Sequence, residues 1–184
     1  PGYHHIPTQS VSEDAKMRTI ALYAPSKTFN LAGLIGSYHI IYNDRLRDRM
    51  RKESSLSHYD SMNVLSMHAL LGAYSEEGRV WLTELREVLA GNIDYVCDFL
   101  NAELPGVTAF RAQGTYMLYV DCTDYCASHD VSIAEILGRG WDAGIGWQDG
   151  RPFHGAHHIR LNLALPNTLV KEACSRMKQY VFCD

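Results

Sequence analysis

The sequence predicts a mixed α/β or α+β fold, and three observations carry that reading. Short β-type runs recur at 18–23, 36–42, 107–110, 115–121 and 158–164. An apolar period of three and four residues continues for many turns from about Glu76. Helical patterns also alternate with the strand runs, and Gly and Pro mark the joins, as layered folds require.

Taken in order, the first dozen residues, with Gly2, His4, His5 and Pro7, show no sustained period and read as an entry loop. Residues 18–23 read as a strand that ends at Ala24-Pro25, because the residue before proline is held in extended geometry. Asn30 and Gly33 punctuate a loop, 36–42 is a second strand, and 44–52 is a short basic helix. The polar stretch 53–61 is loop-like, whereas 62–74 is apolar nearly all round, as expected of a buried helix. Trp81, Leu85, Val88, Leu89, Val96 and Leu100 then define one long amphipathic helix, stopped by Pro105-Gly106. After strands at 107–110 and 115–121, Ser132 and Glu135 form a capping-box pattern for a helix carrying Ile133, Ile136 and Leu137. Residues 138–152 are rich in Gly and turn formers, and 158–164 alternates cleanly as a strand. Asn167 is placed to N-cap a last helix whose inner face carries Leu169, Val170, Ala173, Cys174, Met177 and Val181.

The seam is expected in or just before the long helix, dividing residues 1–75 from 76–184. Two strands and two helices cannot cover their own edges and faces, so further chain upstream of Pro1 is expected.

The composition narrows the function. In 184 residues, 46% are hydrophobic and 21% charged, enough apolar surface for a core. With 17 Lys+Arg against 21 Asp+Glu the net charge is −4, which argues against a broad nucleic-acid or acidic-membrane surface. No apolar run approaches the roughly 20 residues of a membrane span. Cys97, Cys122, Cys126, Cys174 and Cys183 form no Cys-x-x-Cys pair, which fits a reducing, cytoplasmic setting without a disulfide framework or zinc ribbon. The histidines His4, His5, His154, His157 and His158 lack carboxylates or cysteines at metal-ligand spacing and read as loop residues. There is no Gly-x-Gly-x-x-Gly fingerprint in an early βαβ unit and no Gly-x-Ser-x-Gly elbow.

Two stretches carry candidate chemistry. Lys27 lies in a tight loop at a strand end, hemmed by small residues and Phe29, where partial desolvation would lower its pKa toward the range a nucleophilic amine needs. In an arbitrary Ser-Lys-Thr, a solvated turn lysine is the commoner case. In 158–163 the alternation sends Ile159, Leu161 and Leu163 to one face and Arg160 and Asn162 to the other. An arginine there needs a carboxylate, either that of a ligand or that of a structural Asp or Glu. Tyr59, Tyr116 and Tyr119 read as core or interface residues before site aromatics.

Ser26-Lys27-Thr28-Phe29-Asn30-Leu31-Ala32-Gly33-Leu34 resembles the segment around the cofactor lysine of fold-type-I pyridoxal-phosphate enzymes. The likeness is to the PatB/MalY-type cystathionine β-lyase branch of the class I/II aminotransferase family. Asn63-Val64-Leu65, Trp81-Leu82, Gly91-Asn92, Gly114-Thr115-Tyr116-Met117 and Arg160-Leu161-Asn162-Leu163-Ala164 follow in that family's order. The resemblance implies the C-terminal half of such a chain: a remnant of the large cofactor-binding domain over 1–75 and the small α+β domain over 76–184. It implies pyridoxal 5'-phosphate as cofactor, Lys27 as its covalent holder and catalytic base, and Ser26 beside it. It further implies Arg160 as receiver of an amino-acid substrate's α-carboxylate, with Gly144, Gly146, Phe153 and Gly155 in the loop beside the substrate. The implied reaction is C–S β-elimination in a cytoplasmic homodimer, with an aminotransferase or a non-catalytic interaction module as the alternatives. Where the aminotransferase branch carries a phosphate-binding arginine, eight residues after the lysine, this sequence has Ile35, as the β-lyase branch does.

Overall fold

The computed structural model describes residues 2–183, and these form two compact units that divide at Glu84/Leu85. The mixture of helix and sheet agrees with the sequence reading. Among the described residues no helix is long and apolar enough to cross a membrane.

The N-terminal unit opens with a 3-10 turn, Thr8–Ser10, and helix α1, Glu13–Arg18. The turn lies within the stretch read as an entry loop and α1 just after it, where no element was expected, and the Ser12 side chain caps α1 by accepting from the Ala15 N–H at 3.1 Å. Strands β1, Ala21–Tyr23, and β2, Tyr38–Ile40, pair antiparallel with Tyr23 opposite Tyr38. Helix α2 spans Asp44–Ser57 and so takes in the first part of the stretch read as a loop, whereas residues 58–61 are non-helical as expected. Asn43 caps its start, and His58, in the left-handed region at φ 58°, ends it by donating to the Ser54 and Ser55 carbonyls. Helix α3, Val64–Ala73, forms as expected but does not bury. Val64, Leu65, Met67 and Leu71 are exposed, while Ser66 and Ala73 are its buried residues. An all-apolar run has no preferred face, so periodicity could not show which side packs. Among the described residues, Pro25, Ile41 and Ala73 are this unit's buried apolar side chains.

Helix α4, Glu76–Glu103, is the long helix of the sequence reading. The C-terminal unit is built on its second part and on a four-stranded antiparallel sheet in the order β3, β4, β6, β5. These are Thr108–Ala109, Met117–Asp121, His158–Asn162 and Gln148–Asp149 for β3, β4, β6 and β5. Strand β4 begins two residues later than expected because Thr115 takes φ 73°, a left-handed geometry a β-branched residue rarely adopts. Helix α5, Thr123–His129, was not expected, since it is one polar turn pair with no side-chain N-cap. Helix α6, Ile133–Asp142, has the predicted Ser132–Glu135 capping box and continues through Gly138 and Gly140 into the stretch read as turns. Gly140 serves packing, because a Cβ there would lie 2.1 Å from the Trp147 ring.

Helix α7, Asn167–Arg176, runs into a π-turn at Met177–Val181. Its N-cap is Pro166, and the Asn167 side chain is turned instead to Asn92. Val170, Cys174, Met177 and Val181 bury as expected, but Leu169 is exposed. Leu100, Leu104, Leu118, Val120, Ile136 and Ile159 centre the core cluster of buried side chains, which lies wholly in this unit.

Candidate active site

In the N-terminal unit, the loop after β1 is folded by its own backbone. The Phe29 N–H donates to the Pro25 carbonyl and the Leu31 N–H to the Ser26 carbonyl, both at 2.9 Å. Asn30 supplies the left-handed turn at φ 53°, a geometry asparagine tolerates. Phe29 anchors the loop: its ring stacks on Trp81 at 5.9 Å and meets Tyr74 edge-on at 5.8 Å. Tyr74 in turn meets Tyr38 at 6.0 Å, and Tyr38 stacks on Tyr23 at 5.5 Å. Burial, followed by the hydrogen bond and charge of Tyr38, pushes the Tyr74 phenol up to about 12. A ladder of aromatic rings thus holds both ends of the loop and its middle.

Lys27 projects from this anchored loop and is exposed, with Ser26 half-buried beside it. The desolvation expected of Lys27 is therefore absent, because Phe29 packs away toward Tyr74 and Trp81. In this placement Lys27 is the solvated turn lysine weighed above, and its assignment to cofactor chemistry rests on the resemblance of the segment around it.

In the C-terminal unit, Arg160 sits on β6 between Tyr119 of β4 and Gln148 of β5, at paired register positions. Its guanidinium lies over the Phe153 ring, 3.9 Å from the centroid. Among the described residues it makes no ion pair with an Asp or Glu, so the structural pairing considered above is not formed. The side chain lines an open cavity of about 310 Å³ with Thr115, Met117, Leu118, Tyr119 and Phe153. A half-buried guanidinium with free donors and an apolar floor is suited to a carboxylate, which its fork can bind bidentately.

Of the glycines assigned to this loop, Gly155 is buried against Tyr119 and His158. Gly144, at φ 74°, lies beside Arg176, and Gly146 is exposed, so neither lines the cavity. Lys27 and Ser26 belong to one unit and Arg160 to the other. Among the described residues no group of His, Cys, Asp or Glu is arranged to hold a metal.

Sequence reasoning ranked Tyr119 as a core or interface residue ahead of a site aromatic, and it did not show the stacking role of Phe153. The signal was the strand register, which alternation within one strand does not supply. Asp121 and His158 flank the site, with Oδ2 and Nε2 3.8 Å apart. Burial raises the Asp121 carboxyl, but hydrogen bonds from Thr123 and the charges of His158 and His157 outweigh this and bring it below the usual range.

No family model matches the chain. Among curated proteins it is 31% identical to cystathionine beta-lyase PatB of Bacillus subtilis over 182 residues, covering 96% of this chain and 45% of that protein. The crystal structure of OvoB superposes with TM-score 0.86 at 30% identity, covering all of this chain and 46% of OvoB. Cystalysin from Treponema denticola, whose structure contains pyridoxal 5'-phosphate, gives TM-score 0.84 at 31% identity over 97% of this chain and 45% of its own. Aspartate aminotransferases match over the same span at lower identity. The chain spans about half the length of the curated relatives it matches.

Proposed function

We propose that this chain, which belongs to the PatB/MalY-type branch of the class I/II aminotransferase family, carries the cofactor lysine and the carboxylate-binding arginine of a C–S β-lyase. The observation that carries this reading is the Arg160 guanidinium, stacked on Phe153, open to a cavity and without an acidic partner among the described residues. Residues 1–75 are assigned to a remnant of the large cofactor-binding domain and 76–184 to the small C-terminal domain.

The reaction takes an amino acid bearing a thioether at Cβ, plus water, to a thiol, pyruvate and ammonium. Pyridoxal phosphate, when bound, supplies the electron-withdrawing ring that acidifies Cα. Lys27 would hold it through the side-chain amine, with Ser26 nearby, and the freed amine would take the proton from Cα. Arg160 would fix the substrate carboxylate and so the orientation of the Cα–H bond toward that base. The relatives named as cystathionine beta-lyases support elimination over transamination, as does Ile35 in the place of the aminotransferase branch's arginine. We further assign the working protein to a cytoplasmic homodimer, in line with its free cysteines and the family's habit.

The test is to add pyridoxal phosphate to the chain and follow visible absorbance, with Lys27→Ala as control and borohydride trapping located by peptide mass. A Lys27-dependent band, with the label on the peptide containing Lys27, supports the assignment, and thiol release from cystathionine is then assayed. Label spread evenly over surface lysines, with no dependence on Lys27, overturns it for this chain.

A further inference from the structure

We propose that Tyr119 is a positioning residue for Arg160, acting through the turn that carries Phe153. The inference rests on the reading of Arg160 as a carboxylate receiver and adds what aims it.

Tyr119 and Arg160 are register partners on adjacent strands, so their side chains rise from the same face of the sheet. The Tyr119 hydroxyl reaches over the 3-10 turn Arg151–Phe153 and donates to the carbonyls of Gly150 and Phe153, 3.2 Å from each. The same Gly150 carbonyl receives the Phe153 N–H at 2.8 Å and the Gly155 N–H at 3.1 Å, while the Gly150 N–H donates to the His158 carbonyl at 2.8 Å. The turn is therefore closed on β6 at one end and tied to β4 by a single phenol at the other. His158 packs flat on Tyr119 with ring centroids 4.6 Å apart, which limits the swing of the phenol.

Gly155 completes the arrangement. A Cβ at this position would stand 1.9 Å from the Tyr119 hydroxyl oxygen and 2.6 Å from the His158 Cβ, so a side chain there would drive the hydroxyl off the carbonyls. What the phenol holds is the platform under Arg160. Since the guanidinium has no acidic partner among the described residues, the Phe153 ring 3.9 Å away is the contact the structure gives it for orientation. The Tyr119 proton is committed to backbone carbonyls, so its role is to place the cation and not to touch reacting atoms.

The experiment uses the whole chain, labelled with ¹⁵N, and follows the Arg160 Nε–H resonance, identified by its loss in Arg160→Lys. Phe153→Leu supplies the reference in which the ring-current shift on Arg160 is gone. In Tyr119→Phe, which removes one oxygen from a partly exposed ring, the Arg160 resonance should move toward that reference while core amides keep their protection. Acetate serves as the carboxylate probe, and its affinity at Arg160 should fall about fivefold, the scale of one neutral hydrogen bond. Gly155→Ala, which displaces the hydroxyl without deleting it, should reproduce the same shift. An Arg160 resonance that stays at its wild-type position in both variants overturns the proposal. An Arg160 in the unaltered chain that ignores acetate would overturn its reading as a carboxylate receiver, and the ring-current comparison would still decide the role of Tyr119.

Discussion

The side-chain amide of Asn167 donates to the side-chain oxygen of Asn92 at 3.0 Å, and Asn92, fully buried, passes its own amide protons to the carbonyls of Leu163 and Leu165, each at 2.9 Å. One residue of α4 therefore satisfies the backbone where β6 ends and the first residue of α7. Every hydrogen-bonding group of the Asn92 side chain is used, which makes this polar knot in an apolar region favourable instead of costly.

Asn92→Ala should destabilise the C-terminal unit by about 3 kcal/mol, since it removes three hydrogen bonds of about 1 kcal/mol each, the one to the Leu163 carbonyl being buried. Urea unfolding should show a lower midpoint with an unchanged slope. Because β6 carries Arg160, amide exchange near the end of that strand should quicken more than exchange in β3.

Phe29→Ala should loosen the Lys27 loop without unfolding the chain. The lost stack on Trp81 and edge contact with Tyr74 correspond to about 1.5 kcal/mol, so exchange of the Phe29 and Leu31 amides should accelerate about tenfold. Trp81→Leu should produce the same acceleration from the other side of the contact.

The Asp121 carboxyl gives a pH prediction with a definite sign. Its folded pKa lies below the ordinary value, so its stabilisation is present above about pH 4 and is lost as the pH falls through the depressed value. The stability difference between the parent chain and Asp121→Asn should be largest near neutrality and vanish in strong acid. Melting curves from pH 2 to 7 would read this directly, and a difference independent of pH would contradict it.

The cysteines should react in two classes. Cys97, Cys122, Cys126 and Cys174 are buried, and burial pushes their thiols up, to about 12 for Cys122 and about 11 for Cys174. Cys183 is exposed. Under native conditions iodoacetamide should label Cys183 first, and the other four should be modified only in denaturant.

How much of this was legible in the sequence depends on the range of the signal. The long helix and the Ser132–Glu135 capping box were readable because their cues lie within a few turns. The strand holding Arg160 was readable because alternation is local. Asn92 and Asn167 meet across a separation no window spans, so Asn167 read as a cap while its side chain was needed elsewhere. The Tyr119 link to Phe153 depends on which strand lies beside which, and the sequence does not print that. The loop of Lys27 was found by likeness to a family, whereas the aromatic ladder that holds it emerged only when Phe29, Tyr74 and Trp81 were placed.

The outward apolar side of α3 bears on how this chain behaves in a tube. Val64, Leu65, Met67 and Leu71 face solvent while Ser66, whose hydroxyl lacks a partner among the described residues, is turned inward. A net charge of −4 gives copies little mutual repulsion, and physiological salt screens it within roughly 8 Å. Sulfate should therefore lower the solubility limit steeply, because excluded salts strengthen apolar contact, while dilute urea should raise it before any unfolding begins. Light scattering against protein concentration would then show attraction between copies that weakens when Leu65 and Leu71 are replaced by glutamate.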